Sequence, residues 1–478
     1  MRRFWAIVLA FGVIFGVFGL TACTKETRDE YTMTLVYEPS TRTLSGEMQA
    51  KLCNRTESVW ETLKFQLWAN AFREGAKYLP VSSAYAPAAY YEGASFGNIT
   101  VTSVRGGEFC VAGEDENILF VTPPEPVYPD EIAEICVRFT VTLARIEHRL
   151  GVGRNTVNLS GFYPVLCAIG NEGFCEYVYA PYGDPFVSEV ADYDVTFTLP
   201  KSYEVAHTGV GTRTEEGERA IYRIRAENVR DFAMVCSERF EVLSDTSEGI
   251  PVSYYYVKDD DPSRTLSVAV QSIRFYAQTF GDYAYPTYTV VETGFAYGGM
   301  EYPMLSLIAD DLSEREKVFA VAHETAHQWW YAMVGSNQFC EAWQDEGLAE
   351  YSTALFVNAY PEYGVTYEDC IRESERVYRA FYSVQSQLTK GDTAMRRDLT
   401  EFTGDYAYRS LVYDKSVIMY DRLRQTMGDR RFFASIKEYA RACEGKIASP
   451  ALLIACFSER AAQAEGIFAS FLDGSCVI

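Results

Sequence analysis

Residues 313–351 read SEREKVFAVAHETAHQWWYAMVGSNQFCEAWQDEGLAEY. Ser313 followed by Glu316 has the form of a capping box, each side chain able to bond the other residue's backbone N–H, so a helix starts here. Apolar residues then recur at helical spacing from Lys317 to Val334 until Gly335, which predicts one helix over 317–334. Inside it, His323 and His327 stand one turn apart on one face, so both imidazoles can reach a single ion, and one turn of helix suits zinc–nitrogen bonds of about 2.0–2.1 Å. Glu324, beside the first of them, can face a metal-bound water from the side. An H-E-x-x-H pentapeptide also arises by chance, and two satisfied histidines on an amphipathic helix are the plain alternative. The acidic residues downstream argue against that alternative. Eighteen residues separate His327 from Glu346, which lies in a segment predicted to be helical over 342–360. An oxygen ligand from this following antiparallel helix completes a His₂Glu site for one Zn²⁺ and leaves the fourth position to water. Glu350, one turn further on, can accept a hydrogen bond from a ligand imidazole. Asp345, Glu346 and Glu350, so close together, would repel one another if buried without a cation.

The remainder of the chain sets bounds on what such a site can serve. With 478 residues, 48% of them hydrophobic and 15% aromatic, the chain can bury a large core and is not disordered in bulk. Its formal charge of −23 repels phosphate backbones, so nucleic acid is not an expected partner, whereas an ammonium group is welcome. Met1-Arg2-Arg3 and the uncharged run Phe4–Leu20 form a secretory leader, and Leu20-Thr21-Ala22-Cys23 is similar to the lipobox of bacterial lipoproteins. That implies a signal peptide over 1–22, a lipid on Cys23, and an extracytoplasmic, membrane-anchored body; an uncleaved apolar anchor is the alternative. None of the twelve cysteines forms a C-x-x-C, which argues against a thiolate zinc site. From Tyr31 to Leu243 the pattern has period two, with β-branched and aromatic residues between turns, and predicts an all-β domain over 23–246. After the strand Ser253–Val257 the period becomes helical. Helices are predicted over 263–280, 367–388, 406–427 and 430–443, with another opened by Ser449-Pro450 and a small sheet at the start of this half, over 247–478. No Pro/Gly/Ser linker separates the halves, so they should pack directly. His148 and His207, in β segments without partner spacing, read as structural.

H-E-x-x-H, eighteen residues, then Glu in a W-x-x-E-G-x-A-E-Y context is similar to the aminopeptidase N family of gluzincin metallopeptidases. Gly298-Gly299-Met300-Glu301-Tyr302-Pro303 resembles that family's G-x-M-E-N exopeptidase segment, and Tyr408 to Lys415 resembles its Y-x(4)-Y-x-K segment. The resemblance implies an α+β chain, with an N-terminal all-β saddle or sandwich domain before a thermolysin-like, mostly α catalytic domain. It further implies that His323, His327 and Glu346 bind zinc, that Glu324 is the general base, and that Tyr413 donates to the oxyanion. Glu301 would bind the α-ammonium of a peptide with a free N-terminus, and the backbone of Gly298, Gly299 and Met300 would lie beside that peptide. The expected activity is removal of N-terminal residues. A gluzincin endopeptidase with the same metal site, and a non-catalytic peptide-binding lipoprotein, are the competing readings. Tyr302, Asp345 and Ser416 depart from the family pattern, and its second amine-binding residue has no counterpart between Gly161 and Pro185. The chain ends soon after the catalytic helices, which on this resemblance implies an open cleft.

Overall fold

The computed structural model describes residues 28–388 and 391–475; the expected signal peptide and Cys23 lie outside them. The period-two pattern is realised directly. In strand Asp29–Glu38, Tyr31, Met33, Leu35 and Tyr37 are buried while the residues between them face out. This strand pairs antiparallel with Thr43–Cys53 and parallel with Ala191–Pro200, at the centre of a seven-stranded sheet. Two four-stranded sheets pack with it. One is built around Leu63–Gln66 and Ile118–Thr122, the other around Val157–Leu159 and Met234–Ser237. The first half is thus all-β, and the second adds helices to a single sheet, as expected.

That sheet has five strands, in the order Glu241–Ser247, Ile250–Tyr256, Tyr288–Thr293, Leu305–Ala309, Gly299–Tyr302. Its centre is parallel, and helix Pro262–Phe280 makes the crossover that parallel pairing demands. Every residue of Tyr288–Thr293 and Leu305–Ala309 is buried, because helices cover one face and the β domain the other end. The expected division at 246/247 falls at the end of strand Glu241–Ser247, which by hydrogen bonding belongs to this second sheet. The hairpin Gly299–Tyr302/Leu305–Ala309 is absent from the sequence expectation.

The continuous helix expected over 317–334 is not formed. The α-helix spans Glu314–Ala326, and the backbone leaves helical geometry at Trp330 (φ −101°, ψ 47°) and Tyr331 (φ 178°, ψ −63°). Ala332 N–H bonds back to the His327 carbonyl and Val334 N–H to that of Trp329, both at 2.9 Å, giving a widened turn. Burial explains it. Trp329, Trp330 and Tyr331 are all fully enclosed, and the two indoles donate in different directions, to the Gly281 carbonyl (2.9 Å) and Ser352 Oγ (3.0 Å). A regular helix could not turn three consecutive large rings into separate pockets. Arg230, from the end of the β domain and itself buried, ties this turn to both halves through the carbonyls of Ala332, Ser188 and Lys446. Among the described residues no helix is long and apolar enough to cross a membrane.

Candidate active site

The capping box at Ser313 is complete, with Glu316 accepting from Ser313 N–H at 2.9 Å, and it fixes the start of helix Glu314–Ala326. His323 lies in its last turn, and His327 caps it, its N–H still bonded to the His323 carbonyl at 3.3 Å. Glu346 opens helix Trp343–Ala359, which packs against the first helix. The two Nε2 atoms are 3.1 Å apart, and each is 3.2 Å from Glu346 Oε2. Three donors bound tetrahedrally at about 2.0–2.1 Å would stand about 3.3 Å from one another. The spacing fits.

The outer ring nitrogens settle the tautomers. His323 Nδ1–H donates to Glu350 Oε2 (2.9 Å), and His327 Nδ1–H donates to the Trp330 carbonyl (3.1 Å). Both partners only accept, so each Nε2 is left with its lone pair directed at the same point. Two facing lone pairs beside a carboxylate call for a cation. Glu346, despite burial that would raise it, is held well below the usual carboxylate range by the two imidazoles beside it. The widened turn therefore has a direct role: it delivers the Trp330 carbonyl that orients His327.

Glu324 is buried next to these donors, and its Oε2 has no hydrogen-bond partner. Burial foremost, with the charges of Glu301 and Glu346 adding and the imidazoles opposing, pushes its carboxyl up to about 8. Its Oε1 lies against the backbone of Gly299, where any Cβ would overlap it. Gly298 has φ +91°, in the region that favours glycine. Strand Gly299–Tyr302 is the sheet's last strand, so the edge away from Leu305–Ala309 has no strand partner among the described residues. Tyr413 lies within a second widened turn, Ser410–Asp414, and its ring stacks on His323 (centroids 5.8 Å apart, planes at 20°). Burial, then the Glu346 charge, holds its phenol well above its ordinary pKa, so it remains a donor.

Glu301 lies inside, 3% exposed, on the side of His327. Donor atoms of Glu301, His327 and Asp345 lie within 4.8 Å of one another. Gln338 Nε2 donates to both acids, at 3.2 Å to Glu301 and 2.6 Å to Asp345. Gln338 Oε1, Asp345 Oδ1, Tyr331 OH and Tyr408 OH are buried around them without a partner. From the β domain, buried Arg149 donates to Met300 Sδ (3.1 Å) and pairs with Asp184. Burial foremost, opposed by Arg149 and reinforced by Glu301 and Glu346, pushes Asp184 up to about 7. The structure thus brings together His323, Glu324, His327, Glu346, Glu350, Glu301, Gly298, Gly299, Met300 and Tyr413, and adds Gln338, Asp345 and Asp184. Of the additions, Asp345 was visible as an acid where the family pattern has Asn. Asp184 stands alone in Gly183-Asp-Pro185, and nothing in the sequence marked Gln338. His148, ringed by Phe72, Phe295 and Tyr297, and His207, bonded to the Thr208 carbonyl, belong to the β domain and not to this cluster.

Comparison with known proteins agrees with this geometry. The model of the peptidase family M1 domain matches residues 264–471. Among curated proteins, aminopeptidase M1-B of Oryza sativa subsp. japonica is 26% identical over 212 residues, which are 41% of this chain and 24% of that protein. Aminopeptidase N of Lactococcus lactis subsp. lactis is 25% identical over 196 residues, 36% of this chain and 22% of its own. The matched stretch is therefore about a quarter of these relatives' length. An M1 zinc metallopeptidase structure from Deinococcus radiodurans superposes with a TM-score of 0.67 at 17% identity, over 96% of this chain and 95% of that one. The same fold thus extends over both halves, and a mutant of that protein has been solved with a Tyr-Ser-Ala substrate. Residues 264–471 thus match the peptidase family M1 domain, and the whole chain shares the fold of a two-domain M1 zinc metallopeptidase.

Proposed function

We propose that this chain is a zinc-dependent aminopeptidase that removes N-terminal residues from peptides, with His323, His327 and Glu346 as the zinc ligands. The observation that carries the reading is the buried acid Glu301 beside the three donors, in a cage whose polar atoms lack partners. A buried acid so placed calls for a cation, and the α-ammonium of a peptide supplies one at the distance of a single residue from the scissile carbonyl. When bound, zinc acidifies a water to a pKa of about 7 and polarises that carbonyl.

The chain's own groups then divide the work. Glu324, with its unpartnered oxygen, takes the proton of the attacking water and hands it to the leaving amine. Tyr413, kept protonated, donates toward the oxygen on which charge develops. Glu350 and the Trp330 carbonyl hold the imidazoles in register, and the free edge of Gly299–Tyr302 offers backbone groups to an extended peptide.

An aminoacyl amide and its N-acetylated form, assayed side by side, test this. The free amine should be cleaved about 10²-fold faster in kcat/KM, and Glu301→Ala should erase most of that difference, since a buried charge pair is at stake. Equal cleavage of both would make the chain an endopeptidase. Purified protein that holds no zinc and cleaves neither would make it a peptide-binding lipoprotein.

We further propose that the mature chain begins at a lipidated Cys23 and works outside the cytoplasm of a bacterium, tethered to the membrane. Support comes from the Leu20-Thr21-Ala22-Cys23 lipobox after a charge-free run. Mass spectrometry of the protein extracted from membranes should find Cys23 diacylated or triacylated at the new N-terminus. An intact Met1, or an unmodified Cys23, would end this proposal.

A further inference from the structure

Glu350, which accepts from His323 Nδ1–H, lines a cavity of about 740 Å³ between helices Glu314–Ala326, Trp343–Ala359 and Tyr367–Leu388. Glu301 and Asp345 stand beside His327, Glu346 lies between the imidazoles, and His323 leads on to Glu350, which lines the cavity. A peptide whose ammonium sits at Glu301 and whose carbonyl faces the donors therefore points its next residue toward this cavity. Val365, Val377 and Val417 give the cavity apolar wall, while Glu350, Glu373 and Asp414 give it carboxylates. Ser410 is 0% exposed, lines the same space, and has an Oγ without a hydrogen-bond partner. Asp414 adjoins Tyr413 in sequence; burial foremost, then the Glu350 charge, pushes its carboxyl up to about 8, with Arg409 opposing. Arg315 and Arg409 are exposed on the cavity wall, and neither closes an ion pair among the described residues.

We propose that this cavity takes the side chain that follows the scissile bond and selects a basic one, lysine or arginine. Its stem lies along the valines, and its charge meets Glu350 and favours the ionised form of Asp414. An acidic side chain at the same place meets carboxylates and is disfavoured. The inference deepens the aminopeptidase reading and rests on it, because that reading gives the peptide its direction.

The zinc-loaded enzyme is assayed on dipeptide amides whose second residue is lysine, leucine or glutamate. An aminoacyl coumarin, which lacks that side chain, runs beside them. The lysine substrate should exceed the glutamate one in kcat/KM by about tenfold or more. Asp414→Asn should narrow the ratio. Arg409→Glu, a change on an exposed surface, should widen it, and so provides the reading if the first variant does not fold. A ratio near one, with the coumarin still turned over, overturns the cavity assignment alone, as does a ratio that neither variant moves. No cleavage of any substrate, coumarin included, by zinc-loaded protein overturns the aminopeptidase reading and this inference with it.

Discussion

Glu324→Gln is expected to lower kcat by about 10³-fold or more while leaving the zinc content of the purified protein unchanged. The loss is the share that a positioned general base contributes, about 10²–10⁴, with any contribution of its charge to polarising the water added. Metal content should hold because Glu324 is not among the converging donors; those are His323, His327 and Glu346. The substitution is nearly isosteric, and it sits against Gly299 where there is no room for anything larger. Peptide hydrolysis followed by chromatography, with metal analysis of the same sample, separates the two effects. A variant that matches wild type would remove Glu324 from the chemistry and leave the site as a binding site only.

Glu346→Ala is expected to be more damaging still, because it abolishes the site rather than one step. Glu346 Oε2 is the oxygen that both imidazoles reach at 3.2 Å, so without it two nitrogens on one helix remain to hold the ion. Loss of a partner that merely orients a ligand costs about 10–100-fold in metal affinity, and loss of a ligand should exceed that. Thermal melting gives the readout independent of activity. Wild-type protein stripped by chelator should regain stability on adding zinc, by about 4 kcal/mol when free zinc is 1,000 times its Kd. The variant should show no zinc-dependent rise at that concentration. An equal rise in both proteins would mean that the cation sits elsewhere, and the candidate site with it.

Much of this was legible before any coordinates, because the signals concerned were local and periodic. The capping box, the one-turn spacing of His323 and His327, and the alternation of Tyr31, Met33, Leu35 and Tyr37 each state a geometry that neighbouring residues impose on one another. The widened turn at Trp330 was not legible. Trp329 to Val334 is apolar at every position, so its periodicity is equally compatible with a helix that continues and with one that breaks to bury rings in separate pockets. The strand carrying Glu301 was missed for another reason. Four residues behind Gly298 and opened by Gly299 are too short for a period-two signal, and only pairing with Leu305–Ala309 makes them extended. Gln338, Asp184 and the cavity beside Glu350 arise where segments distant in sequence meet, and no short pattern encodes such a meeting.

Arg149 and Asp184 reach the site from the β-rich half, whereas the three metal donors come from two neighbouring helices of the other. On the proposed reading Glu301 and the hydrolytic groups share one half, and the β-rich half braces the strand that carries Glu301 through Arg149 and Met300. Loosening the junction would blunt the distinction between blocked and unblocked termini well before it dismantled hydrolysis. A lineage could then drift from trimming ends to cutting within chains through changes at the seam alone, its catalytic helices untouched.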